Sequence, residues 1–116
     1  MPINFYRDSD DHEPVKDWLR SLSINQRYLI NLEIKTLDRT LDAGMGLNFY
    51  RDLGQELFEV CAALPNNRSL CIIFTNLNQS VVLLHGLLID TNPTPKIPQK
   101  DIDIALRRKE ALKSYQ

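Results

Sequence analysis

Ser80-Val81-Val82-Leu83-Leu84-His85-Gly86-Leu87-Leu88-Ile89 is the longest apolar run in the chain. β-branched residues lead it. Asn76, Asn78 and Gln79 lie before it, and Asp90, Asn92 and Pro93 after it. A short apolar run bounded by turn formers is the pattern of a strand covered on both faces. His85 is the one side chain inside it that can carry charge, so it needs a hydrogen-bond partner or an opening. The simplest reading is a structural histidine; the functional reading needs further support.

Working backwards, Leu57–Leu64 and Arg68–Thr75 read as two more strands, with Pro65-Asn66-Asn67 and Asn76–Gln79 as turns. The three form a meander. A tight turn centred on Asn66 pairs residues equidistant from it, which sets Cys61 opposite Cys71 on one face. Two small buried hydrophobes is the plain reading of that pair, and a cross-strand disulfide the sharper one.

Upstream, Ile3–Arg7 reads as a first strand, with Phe5 and Tyr6 giving it β character. Pro14 suits the first turn of a helix that runs to about Leu22, with Val15, Trp18, Leu19 and Leu22 at helical spacing. Ser23-Ile24-Asn25-Gln26 is a capping-box pattern and opens a second helix, Ile24 to about Asp42. Gly44 and Gly46 end it. So short a link implies an antiparallel helical hairpin. Leu47–Leu53 reads as a strand entry stopped by Gly54. Pro93, Pro95 and Pro98 exclude regular structure from Thr91–Pro98. Ile102, Ala105, Leu106 and Leu112 mark a last amphipathic helix to about Lys113. The expected fold is a single α+β domain over residues 1–116: a helical hairpin packed on a small, mainly antiparallel sheet, with a C-terminal helix.

The 116 residues carry 43% hydrophobic and 25% charged side chains, ordinary values for one globular domain. No apolar run approaches the roughly 20 residues that span a bilayer, and Met1-Pro2-Ile3-Asn4 is unlike a signal peptide. A cytoplasmic protein with Cys61 and Cys71 reduced is expected. The net charge of −1 argues against a protein that coats nucleic acid. The charge is uneven, however. Residues 1–42 hold eight acidic and six basic side chains, whereas residues 91–116 hold six basic and three acidic ones. No His, Cys and carboxylate set has metal-ligand spacing, so neither metal nor small-molecule cofactor is expected.

Six segments occur in order: Phe5-Tyr6-Arg7, Pro14-Val15-Lys16-Asp17-Trp18-Leu19, Leu57-Phe58-Glu59-Val60, Val82-Leu83-Leu84-His85-Gly86, Thr94-Pro95-Lys96, and Asp101 through Arg108. As an ordered set they resemble the phage-derived branch of the RelE/HigB/ParE toxin superfamily, over nearly the whole chain. The resemblance implies a RelE/ParE-like fold and the toxin half of a type II toxin–antitoxin pair. In the RelE and HigB branches it implies metal-free, ribosome-dependent cleavage of mRNA. ParE-like members act on DNA gyrase, a reading with no residue-level support here.

Such cleavage needs a base for the attacking 2′-OH, cations for the charge on the phosphorane, and an acid for the leaving 5′-oxygen. The resemblance nominates Glu59 as base, Arg68 and Lys96 as phosphate stabilisers, and His85 as acid or orienting group. Each also has a plain reading: a solvent-facing strand residue, a turn-flanking cation, a loop lysine and a structural histidine. Three places depart from the family. Val60-Cys61 stands where the family has Leu-Arg, Cys71 where it has an arginine, and Ile89-Asp90 where it has two lysines. Those losses would leave a slow nuclease or a catalytically silent member acting as a binding or regulatory module. The implied partners are a cognate antitoxin protein and, for an active enzyme, the ribosome and mRNA. The antitoxin contact is expected on the C-terminal helix, with Lys109 and Lys113 supplying charge.

Overall fold

The computed structural model describes residues 3–113. Its elements are β1 (Ile3–Phe5), α1 (Pro14–Ser21), α2 (Ile24–Asp42), a 3-10 turn (Leu47–Phe49), β2 (Arg51–Gly54), β3 (Leu57–Leu64), β4 (Arg68–Leu77), β5 (Ser80–Asp90) and α3 (Gln99–Lys113). Among the described residues the strands form one sheet in the order β1-β5-β4-β3-β2. β1 runs parallel to β5 and every other pair is antiparallel. The chain is therefore α+β, as the sequence predicts. The meander has four strands rather than three, because Leu47–Leu53 divides into the 3-10 turn and β2.

The ends of the helical hairpin follow from local chemistry. Pro14 stands in the first turn of α1. The capping box of α2 is present: Ser23 Oγ accepts from Gln26 N at 3.2 Å, and Gln26 Oε1 accepts from Ser23 N at 3.4 Å. Arg27 reaches back and donates to the carbonyls of Leu19, Arg20 and Leu22 at 3.0–3.1 Å, satisfying the orphan acceptors at the end of α1.

The two faces of the sheet carry separate cores. Val15, Leu19, Ile30, Leu37 and Leu41 of the hairpin pack on Val60, Ala62, Leu70, Ile72, Phe74, Val81 and Leu83. On the other face Ala105 of α3 and Ile97 join Leu57, Cys71, Ile73, Val82, Leu84, Leu87 and Ile89. β5 contributes to both, which is why its sequence is apolar without alternation.

β5 does not alternate strictly. Ile73 pairs with His85 and Phe74 with Leu83, so Leu84 is an extra residue in a β-bulge. Alternation from Leu83 would send His85 toward the hairpin. The bulge sends it to the α3 face instead and places Gly86 under the hairpin. A Cβ at Gly86 would overlap the Trp18 indole ring, so only glycine lets Trp18 lie on the strand.

Turns with positive φ close the meander. Asn78 and Asn66-Asn67 suit that conformation. Gln55 and Glu56 adopt it too, at φ 54° and 63°, which such residues seldom do. Two side chains clamp their turn. Thr75 Oγ1 donates to Glu56 O at 2.8 Å, and Lys109 Nζ donates to Gln55 O at 2.6 Å. Lys109 is thus buried, only 5% exposed, and the expectation that it offers charge to a partner is overturned. The side chain of Lys113 lies outside the described residues.

Candidate functional site

The register sets Arg51 of β2 opposite Glu59 of β3, Glu59 opposite Ile73 of β4, and Ile73 opposite His85 of β5. Directly opposed residues share a face, so Arg51, Glu59 and His85 lie in one row on the face of the sheet that α3 packs against. The next row is Cys61, Cys71 and Leu87.

Glu59 is 11% exposed and is not the solvent-facing residue that simple alternation suggests. Its Oε1 lies 3.4 Å from Arg51 Nη1, while its Oε2 is buried with no hydrogen-bond partner. Burial pushes the Glu59 carboxyl above its ordinary pKa, and the Arg51 guanidinium opposes that shift. Arg51 Nη1 also lies 3.3 Å from Pro95 O. The proline-rich loop is thereby tied over this end of the row, with the exposed Lys96 beside the tie. A cleft of about 250 Å³ opens here, lined by Glu33, Phe49, Tyr50, Arg51, Glu59, Val60 and Cys61.

His85 is held from both sides by α3. Its Nε2 lies 2.8 Å from Asp101 Oδ1, and its Nδ1 lies 3.4 Å from Arg108 Nη1. A guanidinium only donates, so one arrangement satisfies the set: Nδ1 accepts from Arg108 and Nε2–H donates to the Asp101 carboxylate. Arg108 also donates to Leu84 O at 2.7 Å and stands over the Tyr6 ring at 5.7 Å. Burial pulls the Arg108 pKa down from its ordinary value. His85 is thus hydrogen-bonded at both ring nitrogens.

Arg68 is elsewhere. It stands opposite Leu64, which packs against the hairpin-side core, so it occupies the other face of the sheet from Glu59 and His85. Its Nε is buried without a hydrogen-bond partner. Of the four residues nominated from the sequence, the structure brings Glu59 and the Lys96 loop together, commits His85 to α3, and separates Arg68.

Sequence reasoning missed Arg51, Asp101 and Arg108. Asp101 and Arg108 stand seven residues apart, two turns of one helical face, which was a readable signal. Arg51 had none, because its pairing depends on a short edge strand.

Cys61 and Cys71 are register partners, as the turn at Asn66 requires, with Cα atoms 4.1 Å apart. They form a disulfide. The expectation of two reduced thiols is overturned, because direct opposition on one face brings the sulfurs into bonding contact.

Two groups among the described residues bring three potential ligand atoms within 4.8 Å: Glu59 with Cys61 and Cys71, and Asp8 with Asp10 and His12. In the first both sulfurs are engaged in the disulfide. In the second the Asp8 carboxylate accepts the Asp10 and His12 N–H groups, each at 2.9 Å, and these bonds hold its pKa down. No helix of the described residues is long and apolar enough to cross a membrane.

Compared with known proteins, the chain matches no family model and no curated relative.

Proposed function

We propose that this chain is a RelE/HigB-like toxin-family protein, paired with an antitoxin, whose reaction is slow, metal-free cleavage of ribosome-bound mRNA. The observation that carries the reading is the Glu59–Arg51 pair at the mouth of the cleft, with the Lys96 loop tied to it through Pro95. Glu59 takes the 2′-OH proton, and burial raises its pKa toward the range where a carboxylate works as a general base. Arg51 takes the place nominated for Arg68, and with Lys96 it offsets charge on the phosphorane. Both nitrogens of His85 are committed to α3, so protonation of the leaving 5′-oxygen falls to water.

The test is cleavage of mRNA on programmed ribosomes by the purified chain in the presence of a chelator. The expected products end in 2′,3′-cyclic phosphate, and Glu59→Gln lowers the rate by about 100-fold, the scale of a lost general base. Activity abolished by chelation, or unchanged in Glu59→Gln, overturns the mechanism.

A second reading is favoured by the disulfide at the two positions where the family has arginines: a silent member that only binds its partner. Absence of cleavage, together with co-purification of the neighbouring gene's product, selects it.

A further inference from the structure

The Cys61–Cys71 disulfide lies one row from Glu59, on the same face of the sheet. Both sulfurs and a Glu59 carboxylate oxygen lie within 4.8 Å of one another. The two cysteines differ in exposure. Cys71 is 0% exposed inside the α3-side core, whereas Cys61 is half-buried and lines the cleft. The cleft opens along the edge of β3, where β2 pairs only as far as Glu59 and leaves the residues from Val60 onward without a strand partner on that side.

Opening a disulfide leaves one sulfur as a leaving group. A thiolate formed at Cys71 would be a charge in apolar surroundings, which is costly. A proton donor beside it removes that cost. Glu59 is placed to relay a proton: its Oε2 is buried and unpartnered, and burial makes its carboxyl easier to protonate than an ordinary carboxylate while leaving it able to act as a base.

We propose that Cys61–Cys71 is a redox-active disulfide, opened by a dithiol that enters through the cleft and attacks Cys61, with Glu59 relaying the proton of Cys71. In the first step a thiolate of the dithiol forms a bond to Cys61 Sγ. The Cys61–Cys71 bond breaks, and Cys71 Sγ keeps the electron pair and takes the Glu59 proton. In the second step the other thiol of the dithiol gives its proton to the Glu59 carboxylate and bonds to its own partner sulfur. That expels Cys61 as a thiolate, which takes a proton from water in the cleft. The dithiol is oxidised by two electrons to a cyclic disulfide, the protein is reduced by two, and Glu59 regains its proton. The charged groups around Glu59 are Arg51 on β2, Glu33 of α2 lining the same cleft, Lys96 beside Pro95, and His85 two strands along its row, itself paired with Asp101. Arg51 steadies the carboxylate in the interval when Glu59 has given up its proton.

A purely structural disulfide would be indifferent to Glu59 and to which sulfur is approached. The experiment uses the folded, oxidised full chain and dithiothreitol as the probe. Native-state reduction is expected without denaturant, and Glu59→Gln is expected to slow it by about tenfold or more, a modest general-acid effect. Equal rates in the two proteins over the neutral pH range overturn the proposal. Paired single-cysteine variants decide it independently, should Glu59→Gln not fold. In Cys71→Ser the remaining Cys61 should react with an aromatic disulfide reagent in the native protein. In Cys61→Ser the remaining Cys71 should stay protected until unfolding. Equal native reactivity of the two overturns attack through the cleft.

Discussion

The two faces of the sheet are covered in different ways. The hairpin face is joined to α1 and α2 by apolar contacts, and within the sheet on that face Phe74 stacks on Phe58 with ring centroids 5.7 Å apart and meets Tyr50 edge-on at 5.8 Å. The α3 face has a core too, but polar groups thread it. Glu59 with Arg51, the disulfide, His85 with Asp101 and Arg108, and Lys109 with Gln55 all lie on that side. Apolar packing is non-directional and tolerant of adjustment, whereas each polar pair must be satisfied in place. The contrast teaches that the hairpin holds the sheet, while α3 arranges charges over it.

The largest break in that contrast should come from the apolar side. Phe74→Ala removes a fully buried ring from the hairpin core and should cost about 3–5 kcal/mol. Urea unfolding should show it as a lower midpoint with an unchanged slope. A loss under 1 kcal/mol would mean that the hairpin face is not the main brace.

Arg108→Ala should cost about 1–3 kcal/mol, because Leu84 O and His85 Nδ1 lose their donor while staying mostly buried. Its signature should be local. Amide exchange should quicken in α3 and stay unchanged in α2. Equal acceleration in both helices would show that the two faces are not separable.

The smallest effect is a pH dependence. The folded-state pKa of Glu59 is raised, so the folded protein holds this proton more tightly than the unfolded chain. Folding is therefore favoured below the unfolded pKa, and that advantage is lost as pH rises through the folded value. Asp8, whose pKa is lowered, works in the opposite sense and loses its contribution as pH falls. Comparing Glu59→Gln with the parent protein isolates the first. The parent should lose stability relative to the variant as pH rises from acid to neutral, and a parent that gains relative stability over that range would contradict the burial argument.

Much of this architecture was legible in the residues. Ser23 and Gln26 announce the start of α2, and the distances from Asn66 announce the cysteine pair. What escaped reading had non-local causes. β2 is a four-residue edge strand whose own residues are mostly exposed, and nothing in Arg51-Asp52-Leu53-Gly54 announces pairing with Glu59. The face occupied by Glu59 escaped as well. Alternation puts it opposite Phe58 and Val60, but it cannot say that α3 covers that side. The sequence places Arg68 near a turn and cannot say that it faces away from Glu59. His85 asked for a partner without naming one. Reading Asp101 and Arg108 as that partner needs the direction in which α3 returns over the sheet.

The bulge at Leu84 acts as a phase slip. A strand is a two-beat pattern, and every residue after the slip inherits the shifted beat: Gly86 meets Trp18, Leu87 and Ile89 enter the α3-side core, and Leu88 is left 47% exposed. Pairing Leu84 regularly instead of bulging it would leave the composition of β5 untouched and yet reverse the assignment of everything downstream. A strand of the same sequence without the bulge would align with this one at every position and still aim its histidine at the opposite helices.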